Sequence, residues 1–200
     1  MHEHILFGLI PDDLRAASVD FAVKLLEAAA KSGIDTIVDL TPFRDIRLYR
    51  EIAPRSKVKI IASTGFYLRN RVPQWMAEID DEGKMEERMF KELTEGIDGT
   101  GIRAGIIKVA AGNTPYSDWQ KKVYRAAARV QKSTGTSIAT HAVDKPREQF
   151  DLLVKAGADP GRLLCRAAAH LRPGPPARAR GHGHVRRGRD RGRNPRAARR

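Results

Sequence analysis

Apolar positions along the chain fall into short continuous runs that alternate with stripes of helical spacing. Residues 2–8 open as an apolar run in which His2 and His4, at alternate positions, share one face of a strand. A helical pattern follows over about 14–31, with Leu14, Ala17, Phe21, Leu25 and Ala28 on one stripe. Asp12 or Asp13 caps it and Gly33 stops it. Residues 34–40 read as a strand, 45–52 as a short helix, and 58–63 as a strand leading into Thr64-Gly65-Phe66-Tyr67. Residues 68–83 read as irregular, and 84–95 as a helix with Met85, Met89, Phe90 and Leu93 on one side. Residues 101–111 form a buried, parallel-type run with a charge, Lys108, where an apolar residue belongs. Ser117-Asp118-Trp119-Gln120 is a capping box for a helix to about residue 132, and Gly135 ends it. A strand over 136–140 ends at His141. Asp144 and Pro146 then start a helix that contains Phe150 and Leu153 and closes at Gly157, and residues 162–165 begin a sixth strand.

Strands alternating with helices at this spacing predict βαβ units and a parallel sheet, an α/β fold. Periodicity leaves two architectures open, a doubly wound sheet and part of a TIM (β/α)8 barrel. Asp39, Thr64, Lys108 and His141 all fall at or near the C-terminal ends of strands, which in a barrel is the catalytic face.

Composition divides the chain. Residues 166–200 carry twelve arginines and one acid, Asp190, for a net +11, whereas residues 1–165 hold 25 basic and 23 acidic residues, for a net +2. The overall +13 therefore belongs to the tail and does not mark the globular part as a nucleic-acid binder. The tail is almost entirely Arg, Ala, Gly, Pro and His and follows no helix or strand period, which predicts disorder. The change falls in mid-strand, a poor place for a domain boundary, and the composition resembles a GC-rich gene read in another frame. The chain is thus read as a partial hydrolase domain over 1–165 and a basic, low-complexity, frameshifted or disordered segment over 166–200. The one cysteine, Cys165, forms no internal disulfide and suits a cytoplasmic setting. No signal peptide and no membrane-spanning run is visible.

Taken singly, the chemical signals are weak. A His-x-His pair is more often incidental than ligating, an apolar-strand lysine often snorkels or pairs, and a histidine after a strand is usually a satisfied polar residue. Together they suggest more. A lysine desolvated in a barrel interior loses its proton more readily. Its neutral amine can take up carbon dioxide as a carbamate, which bridges two divalent metals, with neutral imidazoles filling further positions. Such a pair holds a hydroxide nucleophile and polarises a carbonyl or phosphoryl oxygen.

Residues 96–108, with Gly96-Ile97, Thr100-Gly101-Ile102-Arg103-Ala104-Gly105-Ile106-Ile107 and Lys108, resemble the carbamylated-lysine strand of the phosphotriesterase family in the amidohydrolase superfamily. His2-Glu3-His4-Ile5 is similar to that family's first-strand metal motif. Thr36-Ile37-Val38-Asp39 and Ala62-Ser63-Thr64-Gly65-Phe66-Tyr67 resemble its second and third strands, Thr140-His141 its fifth, and residues 157–162 the approach to its sixth. The resemblance covers about residues 2–165. It implies that His2 and His4 bind the more buried metal, Lys108 as carbamate bridges both, and His141 binds the more exposed one. It implies two divalent ions, zinc foremost, although cobalt, manganese and iron suit the same donors. It also places Tyr67 against the substrate, where lactonase-like members carry tyrosine; the other reading is an aromatic ring packed in a loop. No catalytic residue beyond these ligands is assigned.

The departures from the family pattern count as well. The sixth-strand histidine is due at position 167, which is Ala167, and His170 is three residues late. The eighth-strand aspartate has no counterpart. The expected molecule is therefore an incomplete barrel of about five to six β/α units, a truncated copy, poorly stable and largely inactive. Its expected activity is hydrolysis of lactones, esters or phosphotriesters, in the cytoplasm, on a small-molecule substrate, with a homodimer in view. The competing reading is a non-catalytic α/β module with an Arg-rich nucleic-acid-binding tail.

Overall fold

A computed structural model of the chain describes residues 2–6, 10–112, 115–142 and 145–167, with the backbone alone for His2, Glu3, Ala142, Arg166 and Ala167. Six strands make one parallel sheet: β1 (His2–Glu3), β2 (Thr36–Asp39), β3 (Lys59–Phe66), β4 (Ile106–Ala111), β5 (Ile138–Ala142) and β6 (Leu163–Ala167). They lie in the order β1-β2-β3-β4-β5-β6, each pairing with the next. A doubly wound sheet reverses its strand order at a switch point. Sequential order without reversal is the pattern of a (β/α)8 barrel, here an arc of five β/α units and a sixth strand.

Among the described residues, six α-helices accompany the strands: α1 (Arg15–Lys31), α2 (Leu48–Ile52), α3 (Gln74–Ala77), α4 (Glu82–Thr94), α5 (Asp118–Thr134) and α6 (Pro146–Lys155). Side-chain alternation divides the sheet into two faces. Phe66, Ile107 and Val109 bury against Met85 and Met89 of α4 and Trp119, Val123 and Tyr124 of α5. Ile37 buries with Val19, Ala22, Val23 and Leu26 of α1 and Leu48, Tyr49 and Ile52 of α2. On the opposite face Leu40, Ile106 and Ala139 form a small cluster with Val38, the floor of the arc's interior. Among the described residues no helix is long and apolar enough to cross a membrane.

Local signals mostly hold. Ser117 and Gln120 complete the capping box of α5, and Gly135 ends it in the left-handed conformation at φ 71°. Several expectations are corrected. The stripe Leu14, Phe21 and Leu25 is exposed, and α1 buries Val19, Ala22, Val23 and Leu26 instead. In this rotation Val19, Ala22, Val23 and Leu26 pack with Leu48, Tyr49 and Ile52, while Arg15 bonds Glu51 and reaches Asp45 at 3.4 Å and Arg55 pairs with Asp20 at 2.7 Å. Asp12 and Asp13 do not cap α1; they lie in a 3-10 turn, Asp12–Leu14, and Leu14 takes the N-cap position with no side-chain bond. Phe90 is exposed while Glu92 is buried, paired with Arg88 at 2.7 Å. The span 68–83 contains a 3-10 turn, Arg69–Arg71, and helix α3. Strand β4 begins at Ile106, five residues later than the apolar run. Strand β1 ends at Glu3, so His4 lies beyond it and the shared-face argument for His2 and His4 does not apply. The expected disorder of the tail beyond position 167, His170, Asp144 and the side chain of His2 lie outside the described residues.

Candidate metal centre

Lys108 sits in the middle of β4, in register with Gly65 of β3 and Ala139 of β5, and is wholly buried. It shares the interior face with Ile106, two residues back, and so rises from the apolar floor of Leu40, Ile106 and Ala139. The sequence expectation of a charge in a buried strand is met at full burial.

His141 follows Ala139 by two residues on β5 and faces the same interior. It is half-buried. Burial holds its imidazole below the usual histidine range, and the nearby charges of Lys108, His4 and Arg71 push it further down. His4 and Lys108 are thus close enough for their charges to act on His141. Tyr67, one residue past β3, puts its hydroxyl 3.2 Å from His141 Nε2, with the ring centroids 5.2 Å apart and the planes at 62°. Burial raises the phenol, outweighing Arg71, so Tyr67 stays protonated at neutral pH. Behind His141, Gln149 of α6 accepts from Tyr124 Oη at 2.7 Å and donates to the His141 carbonyl at 3.4 Å.

His4 lies after β1 and is exposed. Its Nδ1 is 2.8 Å from Thr41 Oγ1 in the segment after β2. Beneath that contact Asp39 is fully buried. Its carboxylate accepts from the backbone N–H of Thr41 at 2.9 Å and of Ile5 at 3.4 Å, and from the Tyr49 hydroxyl. Arg44 donates to the Thr41 carbonyl and, at 2.7 Å, to the Ser63 carbonyl. Asp39 is visible in the sequence as a polar strand end. Thr41, Arg44, Tyr49 and Gln149 carry no periodic or motif signal and emerge only from the packing.

Among the described residues, no three His, Cys, Asp or Glu side chains form a group able to hold a metal. The donors in question are of another kind: two imidazoles and a lysine, with His2 at the chain start contributing a described backbone alone. They fit a divalent metal in two respects. His141 is held neutral, the form that ligates. Lys108 is fully desolvated at the floor of the same face, where an amine is most readily converted to a carbamate oxygen ligand.

The sequence model of the phosphotriesterase family matches residues 1–171. The aryldialkylphosphatase of Saccharolobus solfataricus is 32% identical over 151 residues, which are 72% of this chain and 47% of that protein. An N-acetyltaurine hydrolase of Dictyostelium discoideum is 29% identical over 158 residues, 76% of this chain and 42% of that protein. The fold superposes on a substituted PTE-like lactonase from Deinococcus radiodurans with a TM-score of 0.72 at 36% identity, covering 81% of this chain and 56% of that one. A substituted organophosphorus hydrolase from the same organism gives 0.73 at 35% identity, covering 81% and 54%. The chain spans about half the length of the relatives it matches.

Proposed function

The chain belongs to the phosphotriesterase family, and on that premise we propose that it is a metal-dependent hydrolase of a small-molecule lactone, ester or phosphotriester. The observation that carries this reading is the complete burial of Lys108 on the interior face, beside His141 and within range of His4. In this proposal His2, His4, Lys108 as its carbamate and His141 would hold two divalent ions, zinc foremost, with His2 and His4 at the more buried one and His141 at the more exposed one. When bound, the pair would supply Lewis-acid polarisation of a carbonyl or phosphoryl oxygen.

The chain's own residues do the rest. The apolar floor of Leu40, Ile106 and Ala139 keeps water away from the base of the site. Tyr67, protonated and aimed into the interior, donates its hydroxyl to the substrate oxygen; in the substrate-free arrangement that hydroxyl rests on His141 Nε2 at 3.2 Å. Tyr67 and the likeness to a lactonase favour a lactone. Residues 1–165 carry this function; the basic composition begins at Arg166, whose backbone, with that of Ala167, still pairs in β6. With Ala167 where the resemblance makes a sixth-strand histidine due, the exposed ion would be held by fewer ligands and turnover would be impaired. The single cysteine suits a cytoplasmic setting.

The test is metal retention. Purified chain loaded with zinc and passed through gel filtration is expected to keep it, and Lys108→Met and His141→Ala are each expected to lower the amount bound. Equal zinc in the parent and both variants would overturn the reading, as would lactone hydrolysis indifferent to a chelator.

A further inference from the structure

Thr41 stands outside every motif in the sequence, yet three interactions converge on it. Asp39 accepts its backbone N–H at 2.9 Å, and Arg44 takes its carbonyl. The same Asp39 carboxylate reaches the N–H of Ile5, the residue after His4, at 3.4 Å, tying the two segments together. Arg44 is fixed in turn on the Ser63 carbonyl at 2.7 Å and over the Tyr49 ring, 5.6 Å from its centroid. Thr41 is fully buried, and its hydroxyl meets His4 Nδ1 at 2.8 Å. The backbone on both sides of this contact is therefore fixed before the side chains meet.

We propose that Thr41 is a positioning residue: its Oγ1 accepts the Nδ1–H of His4, selecting the tautomer whose lone pair is on Nε2. An imidazole that ligates through one nitrogen is generally oriented by a hydrogen bond on the other. The value of this tautomer for catalysis rests on the assignment of His4 as a ligand. The tautomer itself does not, because it is a property of the metal-free protein.

Two readouts separate the inference from that assignment. The first is the imidazole 15N shifts of His4 in metal-free protein above pH 8. The parent is expected to show a protonated Nδ1, Thr41→Val a mixture of tautomers, and Thr41→Ser the parent pattern. Thr41→Val keeps the backbone N–H and carbonyl that Asp39 and Arg44 use, so it removes the hydroxyl alone. The second is zinc affinity by competition with a chromophoric chelator. Thr41→Val is expected to weaken it roughly 10- to 100-fold, and Thr41→Ser to restore it. A His4 tautomer unchanged by Thr41→Val overturns the inference. A shifted tautomer with unchanged zinc affinity supports it and removes His4 from the ligand set.

Discussion

A side-chain carbon at Gly65 would lie 1.9 Å from the carbonyl oxygen of Lys108. Strands β3 and β4 approach at this register pair so closely that only hydrogen fits, and Gly65 takes φ +120°, a conformation L side chains rarely adopt. The position that brings Lys108 into the interior therefore depends on a glycine on the neighbouring strand. Gly65→Ala is expected to destabilise the chain by about 2–4 kcal/mol, combining backbone strain with strand separation. A shift of the urea midpoint with unchanged slope checks it; a midpoint equal to the parent's would show that β3 and β4 can part freely.

Lys108→Met separates stability from function. A buried ammonium carries a desolvation cost that an apolar residue of similar volume avoids. The metal-free variant is expected to be more stable than the metal-free parent, by about 1–3 kcal/mol, while binding less zinc. Chemical denaturation of both proteins in chelator measures this. A less stable variant would mean that Lys108 is held for structural reasons.

Tyr67→Phe removes the hydroxyl that rests 3.2 Å from His141 Nε2 and keeps the ring, which also packs at 6.3 Å on Phe43. The fold is expected to be unchanged. If the hydroxyl orients substrate, lactone kcat/KM falls by about 10-fold, a loss of about 1.4 kcal/mol, and zinc content does not change. Unaltered lactone kinetics would leave Tyr67 as a packing residue.

Helices α4 and α5 are joined by a charge network: Glu82 bonds Arg125 at 2.6 Å and Arg129 at 2.6 Å, and Glu86 bonds Arg129 at 2.6 Å. The Arg125 hydrogen bond, foremost, holds the Glu82 carboxyl below its ordinary 4.5, outweighing burial. A depressed carboxylate binds fewer protons folded than unfolded, so its contribution is complete above pH 4.5 and is lost as pH falls through the lower folded value. Because the arginines are partly exposed, the contribution is on the order of 0.5–1 kcal/mol. Glu82→Gln is expected to lower the urea midpoint at pH 6, with the gap to the parent closing in acid. A gap that persists below pH 3 would assign the loss to packing rather than charge.

Much of this protein is legible in its sequence, because much of it is local. Strand and helix periods depend on neighbours two to four residues away, so five β/α units and the sixth strand can be read along the chain. The Ser117 capping box and the Gly135 terminator need no tertiary partner. The anomaly of Lys108 is likewise local, a charge in an apolar run, and so is the placing of His141 just after a run of strand residues. The other decisions belong to the folded chain. Whether α1 buries Phe21 or Val23 depends on how it seats against Leu48, Tyr49 and Ile52 of the next unit, since both stripes have helical spacing. The strand order, which makes the six strands a barrel arc rather than a doubly wound sheet, is a property of the paired sheet. The contacts that shape the candidate site join residues 37 apart, at His4 and Thr41, and 74 apart, at Tyr67 and His141. No periodic pattern encodes such pairs. They exist because parallel strands set side by side bring the ends of successive units to one edge, where residues distant in the chain share one space.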